Sequence, residues 1–348
     1  MVLWGISVRG IGAMRRYLTP LIILVVTLVI GIIYGILIGK YEAFPYKYVK
    51  KSFNYLSNKC YGPWSIGIYN GPTPFDLTDS EATLNPVLTG KDIDDIDARF
   101  VADPFMVIEN GNYSMFFEVM NRETSHGDIG YAESQDGVKW KYGGIIIDEN
   151  FHLSYPYVFK WKGNYYLIPE SHKDLSIRLY IASSFPGKWK YIGNIMAGHR
   201  YIDPSIFRFN NKWWLFASIP GNDVLNLYYS YKLRTGWVSH PMNPIVKFDK
   251  NISRPAGRVL IYDGNIYRFT QDDDPSYGIQ VFAFKITKLS ENSYEEKILS
   301  EEPVVKMTGE GWNAAGMHHV DVQEDKGRWI ATVDGKSKWA SVIFCLIK

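Results

Sequence analysis

Ala102-Asp103-Pro104-Phe105-Met106-Val107 decides the fold, because the stretch returns. Ser154-Tyr155-Pro156-Tyr157-Val158-Phe159 and Ile202-Asp203-Pro204-Ser205-Ile206-Phe207 repeat it, as does Ser253-Arg254-Pro255-Ala256-Gly257-Arg258-Val259. Met317-His318-His319-Val320-Asp321 is a fifth, weaker copy. The marker prolines are 52, 48 and 51 residues apart (156−104, 204−156, 255−204), and 64 residues separate Pro255 from the equivalent His319 (319−255). A period of about 50 residues built of short strands signals a β-propeller or a similar array.

The rest of each copy supports this. A tight turn follows every marker strand: Asn110-Gly111-Asn112, Lys162-Gly163-Asn164, Asn210-Asn211-Lys212, Asp263-Gly264-Asn265 and Lys326-Gly327-Arg328. Gly and Asn tolerate the positive φ that such hairpin turns need. An aromatic second strand comes next, at 113–118, 165–170, 213–218, 266–271 and 329–334, followed by a third and an outermost strand. Three or four strands per copy, in five copies, predict an all-β, five-bladed β-propeller. Asn85-Pro86-Val87-Leu88 resembles the outer strand Asn243-Pro244-Ile245-Val246 yet precedes the first marker. Residues 64–90 are therefore expected to complete the fifth blade beside 317–322, 329–334 and 341–347. Such closure leaves no open edge. The polar, Pro-rich stretch 71–84 reads as a surface loop.

Ahead of the propeller, Leu18 to Ile38 is apolar and uncharged, long enough as a helix to span about 30 Å. We expect a basic head at 1–16, a transmembrane anchor at 17–39, a stalk at 40–61 and the propeller at 62–348. Arg9, Arg15 and Arg16 precede the span, and Lys40, Lys47, Lys50 and Lys51 follow it, so the positive-inside rule does not choose an orientation. The sequons at Asn112 and Asn251 favour a luminal or extracytoplasmic domain. Cys60 and Cys345 flank the propeller and would pair only if its termini meet; no Cys/His spacing suggests a zinc site, and no cofactor is implied. A net charge of +2 offers no basic field for nucleic acid. Aromatics at 16% suit packed blades or surfaces that stack on sugar rings.

Propeller blades turn their innermost strands to a central channel. If the markers are those strands, the residue before each marker proline faces a shared space: Asp103, Tyr155, Asp203, Arg254 and His318. The second strands end in Glu118, Glu170, Ser218, Gln271 and Asp334, with Asp272 beside them. Polar residues thus recur at two levels of an apolar frame, and buried carboxylates cost free energy unless paired or employed. The structural alternative is a water-bridged axial network without catalysis. The chemical reading is glycosyl transfer between acids roughly 6.5–9.5 Å apart. Arg254, Arg258, Asp272, His318, His319 and Asp321 would then form the substrate-binding part, with a phosphate as one target of the basic groups. Tyr155 and Trp312 are candidate sugar-stacking rings.

A family resemblance enters on these residues. Ala102-Asp103-Pro104-Phe105, Ile202-Asp203-Pro204-Ser205 and Ser134-x-Asp136-Gly137-x-x-Trp140 resemble the five-bladed glycoside hydrolases of families 43, 32 and 130. Over about residues 62–336 a closer likeness appears. Trp64-Ser65-Ile66-Gly67-Ile68-Tyr69, Phe116-Phe117-Glu118-Val119-Met120-Asn121, Phe151-His152-Leu153-Ser154-Tyr155-Pro156-Tyr157, Arg254-Pro255-Ala256-Gly257-Arg258 and Gly316-Met317-His318-His319-Val320-Asp321 resemble the N-terminal propeller of glucosamine inositolphosphorylceramide transferases. In those plant transferases the propeller precedes a separate glycosyltransferase domain, which this chain is expected to lack. The hydrolase resemblance implies Asp103 as base and Asp203 as the acid that tunes its partner. It also implies a general acid from a later blade, where this chain has Arg254. Glu170 or Glu118 would have to serve instead, unless a phosphate leaving group needs no acid.

The leading expectation is a membrane-anchored propeller that makes or breaks a glycosidic bond of a carbohydrate, glycolipid or activated sugar. Its catalytic residues would be Asp103, Asp203, Glu170 and Glu118. The alternative is a non-catalytic glycan-binding propeller that assists a separate glycosyltransferase. A scaffold for protein partners would leave the polar ring unexplained.

Overall fold

The computed structural model describes residues 63–79 and 83–338, together with 27–29 and 31. The predicted anchor and stalk, Cys60, Cys345 and the strand expected at 341–347 lie outside these residues, apart from four helical positions in the anchor. Among the described residues no helix is long and apolar enough to cross a membrane.

Strands follow in chain order as β1 (Trp64–Thr73), β2 (Asp76–Asp79), and then one complete blade of β3 (Ala98–Glu109), β4 (Asn112–Asn121), β5 (Gly127–Ser134) and β6 (Lys141–Ile147). The second blade holds β7 (Ser154–Trp161), β8 (Asn164–Glu170), β9 (Ser176–Ser184) and β10 (Lys188–Ala197). The third holds β11 (Ile202–Phe209), β12 (Lys212–Ser218), β13 (Val224–Ser230), β14 (Val238–Ser239) and β15 (Val246–Lys247). In the fourth the inner strand is broken into β16 (Arg254–Pro255) and β17 (Leu260–Tyr262), followed by β18 (Asn265–Asp272), β19 (Gln280–Leu289), β20 (Tyr294–Ile298) and β21 (Val305–Lys306). β22 (Val320–Asp325) and β23 (Arg328–Lys336) begin the fifth, whose strand order is β2-β1-β23-β22.

The ring closes in a way the sequence only half indicates. β1 pairs antiparallel with β23, from Trp64 opposite Lys336 to Gly71 opposite Trp329. The N-terminal segment therefore supplies both outer strands of the fifth blade, and β1 takes the place beside β23 expected for 341–347. The stretch 71–84 is not simply a surface loop, because β2 lies within it and pairs with β1. The expected outer strand at 85–88 is present in small form: Ile66 N–H donates to Leu88 O at 2.8 Å, and Val87 N–H donates to Ile66 O at 2.8 Å.

Alternation along the strands builds the core. Phe105, Phe116, Ile129, Leu167 and Ile177 pack between the first two complete blades, all fully buried. Ile66, Met106, Met115 and Phe117 do the same between the fifth blade and the first.

The marker residues are where alternation breaks. Asp103, Tyr155 and Asp203 have φ of 53°, 47° and 48° respectively. Each sits in a register shift of its inner strand, between Ala102 and Phe105, Ser154 and Tyr157, and Ile202 and Ser205. Such a bulge re-aims a side chain, here toward the axis. A left-handed non-glycine residue costs on the order of 1–3 kcal/mol and persists only when its surroundings over-determine it. Three copies of this strain at one repeat position mark the axis as the place where the fold is bent to a purpose.

Candidate active site

The bulges and the second-strand ends bring Asp103, Glu118, Glu170, Asp203, Arg254, Gln271, His318 and Asp334 into one connected polar cluster at the start of the inner strands. Arg254 Nε lies 2.6 Å from Asp203 Oδ2, and Gln271 Nε2 donates to the same oxygen at 3.0 Å. Asp203 N–H donates to Glu170 Oε2 at 3.2 Å, and Tyr155 N–H donates to Asp103 Oδ2 at 3.2 Å. Asp103 N–H donates to Asp334 Oδ2 at 3.1 Å. The predicted convergence of Asp103, Asp203, Arg254 and His318 is therefore observed.

Four residues that were not singled out as site residues adjoin the cluster. His172 Nδ1 is 2.6 Å from Glu170 Oε1. His152 Nδ1 accepts the Gly127 N–H at 2.8 Å, which leaves its Nε2 to carry the proton, 3.7 Å from Glu118 Oε1. Trp64 stacks on His318 with centroids 4.0 Å apart, and Tyr277 meets the same imidazole edge-on at 5.2 Å. Arg254 lies over the Tyr277 ring at 5.0 Å, and Tyr277 is 39% exposed. A sequence signal existed for three of them: Trp64 and His152 lie within stretches that resemble the transferase family, and His172 follows Glu170 by two residues. Nothing local marked Tyr277, which arrives from the loop after β18.

The carboxyls are electrostatically distinct. Burial pushes Glu118 well above the usual range, and the charges of Asp103, Glu170 and Asp203 push it further. Burial likewise lifts Asp103 to about 6, with His318 and Arg254 pulling down and Asp334 and Glu170 pushing up. Glu170 goes the other way: burial would raise it, but the His172 hydrogen bond and the charge of Arg254 hold it at about 2. Asp203 is fully buried; burial pushes it up against the pull of Arg254, and its Oδ1 has no hydrogen-bond partner. Groups whose environments drive their pKa values apart are the acid and base of a site. Here Glu118 is driven up, mainly by burial, and Glu170 is held down by His172 and Arg254.

Asp103, His318 and Asp334 offer three donor atoms within 4.8 Å of one another. Asp334 is already fully engaged: Oδ1 accepts from His318 N and His319 N at 3.0 Å each, and Oδ2 takes Asp103 N and lies 2.7 Å from His318 Nδ1. Its lone pairs leave no place for a cation. Asp334 instead raises the pKa of His318 despite burial.

Several expected binding residues have other work. Tyr155 is 0% exposed and cannot present its ring to a sugar. Its hydroxyl accepts the Gly257 N–H at 2.6 Å and sits 2.8 Å from Ser205 Oγ. We expect Tyr155→Phe to lower stability by about 1–3 kcal/mol, the cost of leaving those groups unsatisfied; urea unfolding checks this. Arg258 and Asp321 form a buried pair, Nε to Oδ1 at 2.8 Å, that also binds main-chain groups of other blades. Trp312 fits between Gly67 and Gly335, whose added Cβ atoms would stand 2.5 and 2.4 Å from its ring. Its role is packing. Asp272 points away from the cluster and accepts from Asn251 Nδ2 at 2.9 Å and Gln280 Nε2 at 2.7 Å. His319 is buried and held neutral at about 3, chiefly by burial, with its ring edge-on to Phe105 at 4.6 Å.

Among solved structures, β-1,2-mannobiose phosphorylase from Listeria innocua superposes with a TM-score of 0.56 at 13% identity, covering 80% of this chain and 99% of that one. That likeness concerns the fold. Curated relatives are nearer in sequence. Glucosamine inositolphosphorylceramide transferase 1 of Oryza sativa subsp. japonica is 36% identical over 300 residues, 79% of this chain and 40% of the rice protein. The Arabidopsis thaliana protein of the same name is 33% identical over 298 residues, 79% of this chain and 39% of that protein. The chain thus spans about two-fifths of the length of the relatives it matches. The family model for the N-terminal part of glucosamine inositolphosphorylceramide transferase 1 matches residues 57–336, and the chain belongs to that family.

Proposed function

We propose that this propeller acts on a glycosidic bond at the mouth of its axis, with Asp103 as general base and Glu118 as general acid. The observation that carries the reading is the divergence of the carboxyls within one cluster: Glu118 pushed well up, Asp103 lifted to about 6 and Glu170 held down at about 2. A base works best with a pKa near the operating pH, and an acid must keep its proton until the leaving oxygen needs it. Asp103 would take a proton from the attacking hydroxyl, while Glu118 gives its own to the departing oxygen. Glu170 remains anionic and would stabilise positive charge developing on the sugar ring. Tyr277 provides exposed aromatic surface beside the cluster, and Arg254 a fixed cation that suits a phosphorylated or nucleotide-activated sugar.

Asp103→Asn tests this. The variant is expected to lose about 10²–10⁴-fold in turnover of a cleaved or transferred glycan, while its melting temperature at neutral pH does not fall. Asp103 costs stability when ionised in the fold, because its folded pKa lies above the unfolded value, so its relative contribution is present at low pH and lost as pH rises through about 6. Retained turnover, or a lower melting temperature with Asn, would contradict the assignment.

A second reading has its own support. Arg254 and Gln271 both hold Oδ2 of Asp203, so one oxygen of the acid that the hydrolase resemblance implicates is occupied. The cluster would then bind a glycan for a separate glycosyltransferase. Saturable binding by wild type and by Asp103→Asn, without turnover by either, selects it.

We also place the propeller on the luminal or extracytoplasmic side of a membrane, held by residues 17–39. Asn112 and Asn251 are both exposed, as glycosylation requires. An endoglycosidase-sensitive mass shift that disappears with Asn112→Gln and Asn251→Gln is expected; its absence in a glycosylating host overturns the placement.

A further inference from the structure

Away from the axis, the turn after β4, the start of β5 and the loop after β6 bring together His126, Asp128 and Asp148. One donor atom of each lies within 4.8 Å of the other two. His126 Nδ1 is 3.3 Å from Asp128 Oδ1. Asp128 is 1% exposed; its Oδ2 takes Asn121 Nδ2 at 3.2 Å, but its Oδ1 has no hydrogen-bond partner. His126 Nδ1 has none either. A buried carboxylate oxygen and a ring nitrogen thus face the same space, close to each other but neither in a well-formed hydrogen bond. Unsatisfied buried polar atoms call for an explanation, an ion among them.

The spacing fits one. Two ligands about 2.0–2.1 Å from a tetrahedral zinc ion stand roughly 3.3 Å apart. Asp148 supplies a second carboxylate, and two carboxylates that share a site need a proton or a cation between them. Asp148 is exposed, so the third side of the site opens to solvent as an entry path.

The surrounding backbone is prepared. Asn121 N–H donates to His126 O at 3.0 Å, and Leu153 N–H donates to Gly127 O at 2.8 Å. A Cβ on Gly127 would stand 2.3 Å from Leu153 O, so only glycine lets the two segments approach. The donors are therefore held by main-chain contacts whether or not an ion is present, which lowers the entropic cost of binding one.

The geometry points to a divalent-cation site made of His126 Nδ1, Asp128 Oδ1 and the Asp148 carboxylate, with water as fourth ligand, of the tetrahedral zinc class. One imidazole with two carboxylates favours Zn²⁺, and next Mn²⁺, over Mg²⁺ and Ca²⁺. The ion would clamp the turn at 121–127 to the loop at 148–153, which carries His152.

The test uses EDTA-treated protein titrated separately with ZnCl₂, MnCl₂ and CaCl₂, followed by calorimetry and thermal unfolding. Zn²⁺ is expected to bind one to one and raise the melting temperature, with Ca²⁺ much weaker. Asp148→Asn and His126→Gln are each expected to weaken Zn²⁺ binding by at least about tenfold. Asp148 is exposed, so its variant retains the fold. Without metal, Asp148→Asn should melt no lower than wild type, since it removes like-charge repulsion. Zn²⁺ binding that survives both substitutions, or no binding at one equivalent, overturns the site.

Discussion

Arg258→Ala is expected to cost about 3–5 kcal/mol of stability, the usual penalty for stranding one member of a buried ion pair. Arg258 grips Asp321 with Nε at 2.8 Å and Nη2 at 3.2 Å. Its Nη1 donates to Val158 O at 2.8 Å, and Nη2 also donates to Met106 O at 3.3 Å. Asp321 Oδ2 in turn accepts Met106 N–H at 2.7 Å. One guanidinium thus joins inner-strand positions of four blades. Removing it leaves Asp321, 0% exposed, without its counter-charge. Burial already raises Asp321, with Arg258 pulling the other way, so the variant carboxyl should rise further. The sign follows: with its folded pKa above the unfolded one, the relative stability from this group is present at low pH and lost as pH rises through the folded value. The penalty should therefore be smallest in acid and grow toward neutrality. Denaturant unfolding of Arg258→Ala across that range, alongside the double variant with Asp321→Asn, checks it. Partial recovery in the double variant is expected, because the stranded charge is gone. A cost below about 1 kcal/mol at neutral pH would mean that water reaches the pair.

This pair also shows where reading the sequence stops. The blade count, the inner strands and the second strands were legible, because a hydrophobic frame of fixed period repeats whatever its variable residues do. Convergence of Asp103, Asp203, Arg254 and His318 followed from register alone. What register cannot supply is the direction of a side chain after a bulge. Tyr155 occupies the same repeat position as Asp103 and Asp203, and shares their backbone strain, yet its hydroxyl runs into the protein to Ser205 and Gly257. Arg258 and Asp321 looked like ligand-binding charge, and their main-chain partners Met106 and Val158 are invisible to any local pattern. Ring closure was half legible for a similar reason. The outer-strand motif at 85–88 announced that the N-terminal segment returns, but the pairing of β1 with β23 depends on contacts 258 to 272 residues apart (329−71, 336−64). The separation of Glu118 from Glu170 was hidden too, since both end equivalent strands. Both are buried, and it is the hydrogen bond from His172 and the charge of Arg254 that hold Glu170 down while Glu118 is pushed up.

That difference leads to the prediction most specific to the proposed chemistry. Glu118→Gln is expected to lose about 10²–10⁴-fold on glycosides whose leaving group needs a proton, such as alkyl glycosides, and far less on aryl glycosides or sugar phosphates. Glutamine keeps the shape and the contact with His152 but has no proton to give. Glu170→Gln should behave otherwise, with comparable losses on both substrate types, because its anionic charge would stabilise the sugar ring rather than serve the leaving oxygen. The pH profile separates the roles further. Asp103 must be ionised to act as base, so kcat/KM should rise with pH through about 6. Glu118 must be protonated, so the rate should fall again where that elevated carboxyl finally ionises. In Glu118→Gln, assayed on an activated substrate, the alkaline fall should disappear while the acidic rise stays. Should the alkaline limb persist in that variant, the proton donor is another group. Should alkyl and aryl substrates suffer equally, the bond to the leaving group is not where Glu118 acts.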